Sequence, residues 1–153
     1  MSVAYLTIFR QFLVQKTKNV TYITKPIRVR YSDTDQMGYM HHSNYLRFFE
    51  IARLEWMMFL GISYKQMEKE AIWLPVVSAE VNYRTPSYFD DELTIKVKLD
   101  EPPMASLYFS YEIHNQNQKL VCTGQTKLAV LDAKLQRPMR CPKNLFEALK
   151  PYF

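Results

Sequence analysis

Residues 31–61, YSDTDQMGYMHHSNYLRFFEIARLEWMMFLG, fall into two halves of opposite character. The first is polar and turn-forming, with Asp33, Asp35, Gly38, His41 and His42 close together. The second has helical period. Steps of three or four from Tyr45 pass through Phe48, Phe49, Ala52, Trp56, Phe59 and Leu60, the apolar stripe of an amphipathic helix. The other side is not clean, because Leu46, Ile51, Leu54, Met57 and Met58 fall there among Arg47, Glu50, Arg53 and Glu55. A helix apolar nearly all round is expected to be buried. Ser43 or Asn44 is placed to cap its start, and Gly61 sits where a left-handed residue closes a helix. A loop bearing carboxylates and histidines therefore runs into the N-terminus of a buried helix. Such an end presents free N–H groups and a positive dipole, which suit an anion or a developing oxyanion.

Around that stretch, 153 residues that are 48% hydrophobic and 14% aromatic suffice for one domain with a real core, and exclude disorder. A net charge of +5 favours an anionic partner. Nucleic acid is a poor fit, because the basic residues are scattered and form no run or motif of that class. Cys122 and Cys141 are far apart and make no metal or redox pattern, so a reducing compartment, the cytoplasm, is expected. No apolar run approaches the roughly 18 residues of a membrane span. Residues 1–23 read as an N-terminal extension to a single domain over 24–153. Val3, Leu6, Ile8, Phe9, Phe12 and Leu13 accompany Arg10, Lys16 and Lys18, and no acidic residue precedes Asp33. The run is short and has neither a basic start nor a small-residue cleavage site, which argues against a signal peptide. A basic amphipathic segment can touch a membrane surface. The simpler expectation is an extension that packs on the domain or frays.

The alternation of Ile27, Val29 and Tyr31 with Arg28 and Arg30 predicts a strand over 25–32, those three facing inward. Ser63 opens a short helical turn to about residue 70. Strands follow over 74–83, 93–99, 107–114 and 119–131, with turns at Phe89-Asp90-Asp91 and at residues 115–118. Gly124 marks a bulge or a close approach, and residues 143–150 a terminal helix. One long helix between a first strand and four later ones is an α+β pattern. The short connections make the later strands antiparallel neighbours, in a bent sheet able to enclose the helix.

Asp33 and Asp35 share a face if the loop is extended, and either can instead serve as a turn cap. Gly38 supplies a positive φ or lets a ligand approach the backbone. His41 and His42 are adjacent at a loop-to-helix junction, where two imidazoles seldom converge on one ion, and His114 lies in a distant strand. No metal site is assigned.

The pattern Tyr31-Ser32-Asp33-Thr34-Asp35-x-x-Gly38, followed by His42-x-Asn44-Tyr45-x-x-Phe48-x-Glu50-x-Ala52-Arg53, resembles the signature of hotdog-fold acyl-CoA thioesterases. It is most similar to the 4-hydroxybenzoyl-CoA thioesterase family, in its Tol-Pal-associated branch. The segment from Tyr83-Arg84-Thr85-Pro86 to Asp90-Asp91-Glu92-Leu93 resembles that family's later strand and turn. The resemblance covers about residues 24–143. It implies a curved antiparallel sheet wrapped around one long central helix, and hydrolysis of an acyl-CoA to free acid and coenzyme A. Asp35 matches the family's essential carboxylate, acting as nucleophile through a mixed anhydride or as general base on a water. His42 matches a histidine common in the branch, given an orienting or proton-transfer role, and Tyr31 a tyrosine beside them. Gln36-Met37 and Tyr39-Met40-His41 depart from the usual pattern, and no role is assigned to His41.

The same resemblance places the oxyanion on N–H groups around His42 and Ser43, with Gly38 permitting close approach. The acyl group would lie against Tyr45, Phe49 and the strand around residues 76–81. The phosphates of coenzyme A would meet Arg84, with Lys127, Arg137 and Arg140 as further candidates. Coenzyme A is part of the substrate, and no separate cofactor is implied. A homodimer or homotetramer follows, because such folds place the site between subunits. Two other readings stand beside this one. A hotdog dehydratase would pair a histidine with a helix carboxylate, Glu50 or Glu55. A non-catalytic module would bind acyl thioesters, including those on acyl carrier protein, without consuming them.

Overall fold

The computed structural model describes residues 21–153. The extension expected over residues 1–23 lies, as far as residue 20, outside the described residues. The chain continues as β1 (Tyr22–Ile23), β2 (Ile27–Arg28), helix α1 (Asn44–Phe59), helix α2 (Tyr64–Lys69), β3 (Ile72–Trp73) and β4 (Val76–Tyr83). Then come β5 (Glu92–Leu99), β6 (Ser106–His114), β7 (Leu120–Ala129), β8 (Leu131–Asp132), β9 (Arg137–Pro138) and helix α3 (Lys143–Leu149). Six strands form one antiparallel sheet of order β1–β5–β6–β7–β4, with β2 also pairing to β5, and β3–β8–β9 make a small second sheet. An antiparallel sheet packed against one long helix is the α+β hotdog arrangement.

The helix ends as its sequence dictates. Gly61 takes φ +76°, and its N–H reaches the Met58 carbonyl at 3.0 Å while the Ile62 N–H reaches Met57 at 2.9 Å. These paired bonds satisfy carbonyls that the last turn leaves free. Ser63 caps α2 as expected, its hydroxyl accepting the Gln66 N–H at 3.2 Å. The face of α1 that meets the sheet buries Phe48, Phe49, Ala52 and Trp56 against alternate residues of β5 and β6, among them Ile95, Val97, Phe109 and Tyr111. Trp56 lies parallel to Tyr22 at 6.2 Å and meets Phe109 and Tyr152 edge-on. The Tyr22 hydroxyl donates to Glu55 at 2.9 Å, which fastens the first strand to the helix.

Four expectations are corrected. The helix is not buried all round: Leu46, Ile51, Met58 and Phe59 are exposed, because the sheet covers only one side of it in a single chain. Arg53, expected among the polar residues, is buried instead and donates to the Tyr111 hydroxyl at 3.1 Å. The strand over 25–32 stops at Arg28, because Asp33 folds back on Arg30 to close a 3₁₀ turn at Tyr31–Asp33. That turn leaves Tyr31 78% exposed rather than inward. Finally, β4 does not neighbour β5, its successor in sequence, but pairs with β7. Residues 84–91 between them are held elsewhere, by Val29 N–H to Asp91 (2.8 Å), Asp90 N–H to Val29 (2.9 Å) and Met40 N–H to Ser87 (2.7 Å). The connection thus crosses past the start of α1 instead of turning back as a hairpin.

Gly124 proves to be a close approach. A Cβ there would stand 2.3 Å from the Phe49 ring, which stacks on Tyr111 at 4.3 Å, and Tyr111 is the cross-strand partner of Gly124. Gly124→Val is therefore expected to cost about 1–3 kcal/mol through overpacking. Urea denaturation measures it, and an unchanged midpoint would show that the ring has room to move.

Candidate active site

The two loop carboxylates, alike in sequence, do different work. Asp33 is buried and accepts three hydrogen bonds from Arg30: from the backbone N–H at 2.9 Å and from Nε and Nη2 at 3.2 Å each. Burial pushes its pKa up, but the Arg30 hydrogen bonds and charge, with Arg47 further off, hold it below the ordinary carboxylate value. Asp35 is half-buried, and its Oδ1 accepts only the Met37 N–H, at 2.8 Å. It has no ion pair among the described residues. The turn that carries it closes with the Gly38 N–H on the Asp35 carbonyl at 2.9 Å. Gly38 has φ +83°, and a Cβ there would meet nothing within 4 Å, so the glycine serves the backbone angle and not a tight fit.

Around that turn the loop is a small hairpin. The Asp35 N–H reaches the Tyr39 carbonyl at 3.0 Å, and the His41 N–H reaches Asp33 at 2.9 Å. Asp35 stands two residues above the Asp33–His41 base, roughly 7 Å along the strand direction. The base leads directly into α1. Ser43 occupies the cap position but has helical φ and ψ and makes no side-chain cap. His41 instead braces the turn just before the helix: its Nδ1 accepts the Ser43 N–H at 3.3 Å and lies 2.8 Å from the Ser43 hydroxyl. This corrects the expectation of a Ser43 or Asn44 cap and gives His41 a role. The His42 ring is exposed over that of His41, centroids 4.0 Å apart, and its carbonyl accepts the Tyr83 hydroxyl at 3.1 Å. His42 makes no hydrogen bond or ion pair with Asp35, and its N–H has no acceptor among the described residues.

Other candidates fall further from the loop's chemistry. Tyr31 meets Phe89 edge-on at 5.8 Å, and its side chain does not bond Asp35. Tyr45 and Phe49 are core residues, 3% and 0% exposed, so an acyl group could touch Phe49 only by opening the core. Tyr45 meets Tyr83 edge-on at 5.2 Å, and burial raises its phenol pKa. The open apolar surface is instead that of Val76, Val77 and Tyr83 on β4. Arg84 is exposed with no ion pair among the described residues, as are Arg137 and Arg140, whereas Lys127 lies over the Tyr108 ring at 5.1 Å. Glu55 accepts from both Tyr22 and the Lys25 N–H, which commits it to structure. No helix among the described residues is long and apolar enough to cross a membrane.

Residues 29–149 match the family model described as the thioesterase-like superfamily. The acyl-CoA thioester hydrolase YbgC of Escherichia coli O6:H1 is 29% identical over 132 residues, 86% of this chain and 98% of that one. The acyl-CoA thioesterase YbgC of Haemophilus influenzae is 28% identical over 121 residues, 78% of this chain and 88% of that one. The crystal structure of a DHNA-CoA thioesterase from Staphylococcus aureus superposes with a TM-score of 0.75 at 34% identity, covering 87% of this chain and 83% of that one.

Proposed function

The chain belongs to the thioesterase-like superfamily and is an enzyme of the thioester-hydrolase class, and from that premise we propose that it cleaves an acyl-CoA to free acid and coenzyme A with Asp35 as the reacting carboxylate. The observation that carries this is the setting of Asp35: half-buried, tied through one oxygen to the Met37 N–H and otherwise without a side-chain partner among the described residues. Oδ2 is the oxygen left to attack the thioester carbonyl or to take a proton from water. As the tetrahedral intermediate forms, its oxyanion is received at the start of α1, where the His42 N–H points to no other acceptor. The His42 ring serves proton transfer to the leaving sulfur rather than orientation of Asp35, since nothing links the two side chains. Tyr31 shapes the rim. The acyl group follows β4, and Arg84 meets a phosphate of coenzyme A.

The finer placing in the Tol-Pal-associated branch is supported by the His42-x-Asn44-Tyr45 motif. A homodimer or homotetramer is supported by β4. It is an eight-residue edge strand with Val76, Val77 and Tyr83 exposed, and such an edge is suited to pairing with a second copy. Two free thiols fit a reducing cytoplasm. Catalysis is assigned to residues 24–153, the extension lying outside the family match.

The test is release of free coenzyme A, followed with a thiol-detecting reagent, over short-chain, long-chain and aromatic acyl-CoAs. Catalytic turnover of at least one class is expected. Stoichiometric binding of acyl thioesters without thiol release would replace the enzyme with a binding module, and hydration of an enoyl-CoA would replace hydrolysis with dehydratase chemistry.

A further inference from the structure

Asn44 is the first residue of α1, yet its side chain does not cap the helix. It is buried, and its Nδ2 donates to the Asp33 carbonyl at 2.8 Å, eleven residues back along the chain. That carbonyl already accepts the His41 N–H at 2.9 Å, so it takes two hydrogen bonds at the foot of the hairpin that carries Asp35. On the other side Asn44 Oδ1 faces Arg47 Nη1 at 3.4 Å, which fixes which end of the amide is the donor. Arg30 on the Asp33 carboxylate and Ser87 on the Met40 N–H anchor the loop elsewhere. Its His41 end is held at the helix start by the Asn44 N–H on the His41 carbonyl at 3.0 Å and by Ser43 on His41 Nδ1. Among the described residues, Asn44 thus supplies the side-chain hydrogen bond that ties the Asp33 side of the loop's foot to the helix, the His41 side being held by Ser43.

We infer that Asn44 is a positioning residue, setting the height of the Asp35 turn above the start of α1 by holding the Asp33 carbonyl. The inference rests on the proposed role of Asp35 for its consequence, though not for its geometry. Two groups must meet one thioester carbonyl from different elements, Asp35 on the loop and the His42 N–H at the helix start. A reacting group displaced by about 1 Å can lose about 10²-fold in rate. The Asn44–Asp33 bond ties those two elements together.

Asn44→Asp tests this with almost no change of shape. It keeps an acceptor for Arg47 and sets a carboxylate oxygen against the Asp33 carbonyl where a donor stood. We expect kcat for the best acyl-CoA to fall by about 10- to 100-fold with KM within about threefold, since the binding surface on β4 is untouched. In the same protein, amide hydrogen exchange at Asp35 and His41 should quicken by about tenfold, while amides in the middle of α1 keep their protection. Asn44→Ala should act in the same direction and stands in if the aspartate variant does not fold. Equal quickening across helix and loop would make Asn44 merely structural and overturn the inference, as would loop exchange at the wild-type rate or a kcat within twofold of wild type. If the wild-type protein turns over no acyl-CoA, the proposed function falls, and loop exchange alone still decides whether Asn44 holds the loop.

Discussion

Asp35→Asn lowers the rate of thioester hydrolysis by about 10²-fold or more, the lower range for loss of a general base or nucleophile. The substitution keeps the side chain's size and its acceptor for the Met37 N–H, so the turn survives. It removes the negative charge, the attacking oxygen and the base together. Stability and acyl-CoA affinity are expected to change little, because Asp35 makes no ion pair among the described residues. Asp33→Asn is the control, with the same change two residues away. There the effect falls on stability, by about 1–3 kcal/mol, because a buried carboxylate loses its charge beside Arg30. The pH dependence distinguishes them further. Asp33 has a folded pKa below its unfolded one, so its contribution to stability is complete above the unfolded value and is lost as pH falls through the folded value. Asp33→Asn flattens that part of the acid limb. Rates for single turnovers, read beside urea midpoints at several pH values, check both variants. Two mutants with the same profile, or an Asp35→Asn enzyme with near wild-type turnover, would end the mechanism.

Trp56→Ala is expected to cost about 3–5 kcal/mol. Trp56 is 1% exposed, and the rings of Tyr22, Phe109 and Tyr152 surround it, drawn from the first strand, the middle of the sheet and the chain's end. An alanine leaves a cavity that none of these fixed elements can collapse into. Chemical denaturation monitored by far-UV circular dichroism gives the number. A cost below about 1 kcal/mol would mean that the helix is not the centre of the core.

Much of this architecture could be read from local pattern. The three-to-four spacing of Phe48, Phe49, Ala52 and Trp56 specifies the helix, Gly61 its end, and the alternation in β5 its inward face. What local pattern does not contain is long-range pairing. Nothing in the residues of β4 says that its partner is β7, because that choice depends on where residues 84–91 are tied. The site divides in the same way. The motif singles out Asp35 by resemblance, but spacing alone leaves Asp33 and Asp35 alike, and what physically separates them is Arg30, which holds the first. His41 gains its contact for the same reason, since which imidazole turns toward Ser43 is a matter of side-chain direction. Phe49, expected to meet the acyl group, has its ring beneath Gly124 instead.

The chain has three glycines, and Gly124 is the one among them that lies within a strand. Were β7 to slip by two residues along β6, keeping its inward face, Cys122 or Thr126 would come to lie under Phe49 in place of Gly124. Neither leaves room for the ring at its present distance from the sheet. A slipped sheet cannot seat the helix, so docking of the helix proofreads the pairing of strands far from it in sequence. During folding, misregistered hairpins would stay open and reversible until β6 and β7 find the one alignment that admits Phe49.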